Sequence, residues 1–384
     1  MKIDISVLGK AQQQWASVNR CKHRHTYTDH PSCLERERPD MLMKSPGLKA
    51  PKGTKASAVE DSVLEAVRTI LAKGPRTLKA VSVLLDRSEA TVQEAVSILA
   101  SRGYNVVVAN EAVELADEVA PGAEEPLIIH PLANYQDFRT FGVCGDNHLG
   151  SKHERLDVLN TLYDVYEDEG ITDVFNTGNW IEGEARFNKY DINVYGMDRQ
   201  LDYFIENYPE RPGITTHFVA GDDHEGWYQQ REQVEIGKYA ELRAKDQGRD
   251  DLHYLGYMEA DIELRQPEGS SIMKVMHPGG GSAYALSYAA QKIVESFQGG
   301  EKPHVLLYGH YHKFDYNYAR EVHCVGTGCT VDQSLFMRKN KIQAHVGGCV
   351  VRIAQAPDGT ITRFQCEWLP FYDKGFYRNG RTVA

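Results

Sequence analysis

Residues 138–384 predict an α/β fold of layered sheets and helices, and three observations predict it. Short apolar runs alternate with helical stretches along the whole segment. Five of those runs pass straight into polar clusters that carry carboxylate, amide or imidazole side chains. Glycines beside most of the clusters let the backbone turn sharply at little steric cost. In such a layered design the loops at strand ends carry the chemistry while the sheet holds them still.

The chain of 384 residues is long enough for two or three domains. Residues 1–58 are polar and basic and read as an arm with a linker, closing in the Pro/Gly/Lys/Ser stretch from Lys44 to Ser57. Residues 1–57 carry a formal charge of +6 and the remainder −17, for a net −11. A basic arm on an acidic body is compatible with DNA or another nucleic-acid partner. Within the arm Cys21, His23, His25, His30 and Cys33 are ligands zinc accepts, although their spacing matches no common finger.

Residues 59–118 show helical periodicity. Val63, Val67, Ile70 and Leu71 form one apolar stripe, which Gly74-Pro75 stops. Leu78, Val81, Val83 and Leu84 form a second short element. Ser88 opens a third helix as its N-cap, with Val92, Ala95, Val96 and Leu99 facing inward. Gly103 ends it, and residues 104–108 and 112–115 read as two strands around Ala109-Asn110-Glu111. Three helices followed by a hairpin resemble a winged-helix domain. The exposed face of its third helix offers Glu89, Gln93 and Glu94, poor readers of DNA, so a protein partner or a homo-oligomer contact is an equal use for it.

In the body, residues 139–144, 174–177, 217–220, 272–276 and 305–308 read as strands, and 155–168 and 197–208 as helices. No apolar run approaches the ~20 residues of a membrane span. With no basic-then-apolar leader and seven cysteines scattered in an odd number, a cytoplasmic chain without disulfides or membrane attachment is expected.

The five clusters are Gly145-Asp146-Asn147-His148, Gly178-Asn179-Trp180-Ile181-Glu182, Gly221-Asp222-Asp223-His224-Glu225, His277-Pro278-Gly279-Gly280 and Gly309-His310-Tyr311-His312. In an extended segment residues i and i+2 point the same way, so Asp146 with His148, and His310 with His312, are expected to converge by alternation. Mixed imidazole and oxygen ligands suit Mn, Fe, Zn or Co better than calcium. Five such clusters in order, each at a strand end, are not a chance pattern.

The set resembles the calcineurin-like metallophosphoesterase superfamily, whose pattern runs Asp-x-His, Gly-Asp, Gly-Asn-His-Asp/Glu, His and Gly-His-x-His, and the likeness covers residues 138–365. It implies two packed β-sheets flanked by helices and two divalent metal ions, manganese first among them. By position, Asp146, His148 and His312 would bind one metal and Asp223, His277 and His310 the other, with Asn179 between them. The resemblance implies phosphodiester hydrolysis by a metal-bound hydroxide, with His224 as general acid and Glu182 as the carboxylate that orients it. Two positions depart from the pattern: the bridging Asp is Asn179, and the metal-binding Asn is Asp223. The exchange keeps ligand type and total charge, and reads as compensated.

Asp146-Asn147-His148-Leu149-Gly150 is similar to the opening motif of the DNA-repair exonuclease branch, so a DNA nuclease is the leading expectation. The alternatives are a phosphatase or phosphodiesterase acting on nucleotides or phosphoproteins, and a non-catalytic binding or scaffold relative. Arg186, Lys189 and Arg231 are candidate phosphate contacts. Tyr311, with Trp180, Trp227, Tyr228, Tyr284 and Tyr288, is a candidate platform for bases, against the alternative of ordinary packing.

Overall fold

The computed structural model describes residues 59–109, 111–116, 125–132, 137–281, 285–372 and 374. The basic arm, with its Cys21/Cys33 cluster, and Tyr284 lie outside these residues.

The first elements are α1 (Asp61–Leu71), β1 (Arg76–Thr77), α2 (Leu78–Leu85), α3 (Glu89–Ser101), β2 (Val106–Ala109) and β3 (Ala112–Leu115). Val67, Leu71, Val81, Val92, Ala95 and Leu99 close a small core of their own. The Ser88 hydroxyl accepts the Thr91 N–H at 3.1 Å and caps α3. Val83 and Leu84 do not join the core as their sequence position suggests. On the two-turn α2 only Val81 and Ser82 are buried, and Val83 and Leu84 face outward. Backbone bonds from Asn105 to Gln233 and from Glu235 to Gly103 tie this region to the body.

The body holds two six-stranded sheets, ordered β12-β13-β11-β10-β9-β4 and β15-β14-β5-β6-β7-β8. The second is built on β5 (Arg139–Cys144), β6 (Asp173–Asn176), β7 (Thr215–Ala220) and β8 (Leu252–Tyr257), all parallel. Antiparallel β14 (Val346–Gln355) and β15 (Ile361–Phe371) extend its other side. The first sheet is centred on β10 (Ser270–Met276), β11 (Val305–Tyr308) and β13 (Val322–Thr327), again parallel. Antiparallel β9 (Glu259–Arg265) and β12 (Phe314–Ala319) flank these, and β4 (Leu127–Ile129) adds an outer strand.

The sheets pack face to face through Phe141, Val143, Phe175, Ile262, Val275 and Leu307. On the far side of the second sheet lie α4 (Leu156–Asp168), α5 (Met197–Asn207), α6 (Glu225–Glu232) and α7 (Ile236–Asp246), whose Leu159, Leu162, Phe204, Tyr228 and Ala240 share one core with Val174 and Phe218. On the far side of the first lies α8 (Leu286–Ser296). The central strands are covered on both faces, which is why they read as continuous apolar runs. Trp180 and Tyr228 are fully buried in the helix-side core, so these two aromatics pack the fold and offer no face for bases. No helix among the described residues is long and apolar enough to cross a membrane.

One buried cation fastens the layers at the site end of α4. Arg155 is 1% exposed and donates to both oxygens of Asp157 at 2.8 and 2.9 Å, to Asp332 at 2.8 Å and to the Tyr372 carbonyl at 2.7 Å. Removing one partner of a buried pair strands the other. Arg155→Met is therefore expected to cost roughly 3 kcal/mol of stability in denaturant titrations, because Asp332 and the Tyr372 carbonyl lose their donor. A loss under about 0.5 kcal/mol, the size of a surface pair, would overturn this account.

Candidate metal centre

Strands β5, β6, β7, β10 and β11 all release their polar clusters at their C-terminal ends. The backbone there is not extended, which corrects the expected mode of convergence. Asp146 (φ 47°), His148 (49°), Asn179 (52°), His310 (75°) and His312 (54°) all take left-handed conformations. Non-glycine residues pay for that geometry and keep it only where surrounding contacts hold it. Here Asp146 N–H donates to the Gly178 carbonyl and His148 N–H to that of Asn179, each at 2.9 Å. The His310 N–H donates to the Asp146 carboxylate at 2.9 Å. Left-handed residues between strand and loop aim the side chains inward, where alternation does not.

Besides the trio His148, Glu182 and His224, two groups of donor atoms result. In one, Nε2 of His148 and Nε2 of His312 lie 3.1 Å apart, and Asp146 Oδ1 is 3.4 Å from the latter and 4.0 Å from the former. In the other, the Asp223 carboxylate stands 3.5 Å from His277 Nε2 and 3.5 Å from His310 Nδ1. Asn179 lies between them. Its Nδ2 reaches Asp146 Oδ1 at 3.5 Å, and a Cβ at Gly221 would fall 2.6 Å from its Oδ1 and 2.7 Å from the His277 ring.

These atoms fit divalent cations. Ligands held at ~2.0–2.2 Å from one ion lie roughly 3–3.5 Å from each other. Asn179 Oδ1, Asp223 Oδ1, His277 Nε2 and His310 Nδ1 are buried without a hydrogen-bond partner, a costly condition that a metal would relieve. The opposite ring nitrogens are already fixed. His277 Nδ1 donates to the Thr177 carbonyl at 2.8 Å and His310 Nε2 to that of Gly280 at 2.7 Å, so the ligating nitrogen of each ring is the bare one. His148 Nδ1 is held by Glu182 Oε2 at 3.2 Å, the carboxylate–imidazole arrangement common behind metal ligands.

The electrostatics agree. Burial keeps His148 well below the ordinary histidine value and takes His312 down to about 3, so both rings are neutral and competent to ligate. Burial would lower His277 too, but the Asp223, Asp146 and Glu225 carboxylates reverse this and lift it to about 10. Asp223, despite burial, is held far below the usual carboxylate range by His224, His277 and His310. In the second group the surrounding carboxylates favour positive charge, which a bound cation would supply.

His224 stands beside these groups, with its ring edge-on to His148 at 4.2 Å between centroids. The carboxylate of Glu182 does not orient it, as the resemblance implied. The Glu182 backbone carbonyl accepts His224 Nδ1–H at 2.6 Å, while the carboxylate is turned to His148. The left-handed turn at Gly183, where a Cβ would fall 2.3 Å from the His224 carbonyl oxygen, lets the two segments approach.

His224, His310 and Tyr311 border a cavity of about 330 Å³, whose outer wall is formed by Phe187, Val331, Phe336 and Met337. Arg186, Lys189 and Arg231 do not line it. Arg186 is exposed, Lys189 caps the Tyr190 ring at 4.7 Å, and Arg231 pairs with Glu232 at 2.7 Å over Trp227. The Tyr311 hydroxyl donates to the Gly279 carbonyl at 3.2 Å on the cavity rim. Tyr288 is exposed on α8.

Sequence reasoning missed the braces. Glu225, wholly buried and pushed up to about 8 by that burial, accepts the N–H groups of both Asn179 (2.9 Å) and Gly221 (2.7 Å) through one oxygen. Asn147 joins Asn176 at 2.6 Å and Thr330 at 2.9 Å, locking three loops. Both lie inside the polar clusters, and their position within two residues of a ligand was the available signal.

The geometry gives the Asn179/Asp223 exchange a test. Asp223 faces both imidazoles of its group, so Asp223→Asn should cost the second cation at least about tenfold in affinity, as loss of a charged ligand does. Asn179→Asp with Asp223→Asn should restore most of it. Manganese stoichiometry and affinity across the four-member cycle are expected to be strongly non-additive. Additive effects would mean that the two side chains do not share one cluster.

No protein-family model matches the chain and no curated protein is similar to it. Solved structures with a similar chain path include an archaeal phosphodiesterase, at 11% identity and TM-score 0.32 over 60% of this chain and 99% of that one. A predicted phosphoesterase from Streptococcus pneumoniae is similar at 13% identity and TM-score 0.29, over 61% and 98%. Zinc-complexed Vps29 from Entamoeba histolytica is similar at 15% identity and TM-score 0.29, over 61% and 99%.

Proposed function

We propose that this chain is a metal-dependent phosphoesterase acting at Asp146, His148, Asn179, Asp223, His277, His310 and His312. The observation that carries the reading is the pair of buried donor groups meeting at Asn179, beside a further imidazole open to the same cavity. Divalent cations held there, manganese first, would polarise phosphoryl oxygens and lower the pKa of a bound water. The chain's own residues do the rest. His224 commits Nδ1–H to the Glu182 carbonyl, which leaves Nε2 facing the reacting centre, where the imidazolium form would give its Nε2 proton to the leaving oxygen and become neutral. Glu225 holds the Asn179 and Gly221 loops at a fixed separation through its shared oxygen. Glu182 orients His148 and, through its backbone, His224.

A small phosphoester suits the cavity better than a polynucleotide. Among the described residues that line it there is no Lys or Arg, whereas polynucleotide sites track the backbone with cations. Support for DNA cleavage comes from the basic residues 1–57 and from the likeness of Asp146-Asn147-His148-Leu149-Gly150 to the exonuclease opening motif. An interaction role for residues 59–116, with DNA or with protein, is likewise a proposal that rests on the order of their helices and hairpin.

Chelator-stripped full-length protein should lose hydrolysis of a nitrophenyl phosphodiester and regain it with manganese. Undiminished turnover in stripped protein would sink the reading, and faster degradation of labelled DNA than of the small ester would return the nuclease to first place. His224→Ala should lower turnover of an ester with a poor leaving group by about 10²–10⁴ with metal content unchanged. A loss below tenfold would remove His224 as proton donor.

A further inference from the structure

Resting on that reading, we infer that the cavity wall beyond His224 is a leaving-group subsite for an uncharged aromatic group. Phe187 packs edge-on against His224, with centroids 5.3 Å apart, and Phe336 packs on Phe187 at 5.7 Å. The two rings come from separate segments, the 183–191 loop and α9 (Leu335–Lys339), and meet over the cavity mouth. Phe187 is 46% exposed and Phe336 45%, a large apolar area left open to water beside the reacting centre. Val331, Met337 and Ile342 continue the same wall beneath them.

The direction follows from the chemistry. The phosphoryl oxygens are drawn to the donor groups around Asn179, and the leaving oxygen to His224. The group attached to that oxygen then extends past His224, where the first surface it meets is Phe187. A polynucleotide leaving group would bring its next phosphate to this wall. Among the polar residues beside this wall are Ser151, Asn188 and Ser334, together with Asp191, held by His153 at 3.1 Å, and Asp332, held by Arg155 at 2.8 Å. Half-buried His153 and buried Arg155 are each engaged by an acid, and no Lys or Arg lines the cavity to meet a second phosphate. An aromatic ring, by contrast, covers both phenylalanines in offset or edge contact.

Titration calorimetry on the manganese-loaded full chain, with benzylphosphonate and methylphosphonate as probes, tests this without turnover. Both carry the same phosphonate head and differ in the ring. Benzylphosphonate should bind at least about tenfold more tightly, the range that one well-filled apolar pocket provides. Phe187→Ala and Phe336→Ala should each reduce that preference to about threefold or less. Equal affinities in the native protein, which needs no variant to be folded, would overturn the subsite. So would a preference that survives both substitutions. Loss of metal-dependent hydrolysis with the preference intact would instead count against the catalytic reading.

Discussion

Seven side chains from two different sheets are driven to one point with their donor atoms turned toward each other. Such a cluster is unfavourable by itself: imidazole nitrogens and carboxylate oxygens are brought out of water without hydrogen-bond partners. The Asp146 and Asp223 carboxylates make the site electronegative enough to lift buried His277 to about 10. Everything around the centre can be understood as holding this arrangement against its own repulsion until cations neutralise it.

The holding is done mostly by backbone. Five candidate ligands sit in left-handed conformations, and their amides and carbonyls bond to the neighbouring ligand loops. Gly178 and Gly221 leave room where a Cβ would strike the His277 ring. Buried Glu225 and the Asn147–Asn176 pair then stitch the loops across strands. Because each loop is fixed to the next, a change at one ligand propagates to the others, which is the physical basis for expecting coupled effects at Asn179 and Asp223.

The cavity has two characters. Its floor is polar and demands cations, while its outer wall of Phe187, Val331, Phe336 and Met337 is apolar. A substrate that satisfies both carries a compact anionic head and a greasy, uncharged remainder. The candidate phosphate contacts Arg186, Lys189 and Arg231 are absent from this surface, since stacking and ion pairing use two of them elsewhere.

Much of this was legible in the sequence. The alternation of buried strands with helices announced the layered α/β fold, because strands covered on both faces must be apolar throughout. The five polar clusters announced the centre, because sheet ends are where ligands can be both fixed and exposed. Strands such as β9 and β12 were not legible: one face of each is packed and the other solvated, and no chemical cluster marks their ends. Glu182 was placed at the centre but given the wrong task, since a residue's backbone and side chain can serve different partners and only geometry assigns them. The outward Val83 and Leu84, the packed Trp180 and the wall of Phe187 and Phe336 depended likewise on which surfaces meet. Sequence by itself determined which residues could ligate, because that is a property of side-chain chemistry and its position after a strand. Tertiary structure alone decided how they converge and what stands beside them, because left-handed turns and contacts between distant segments leave no periodic trace in the order of the residues.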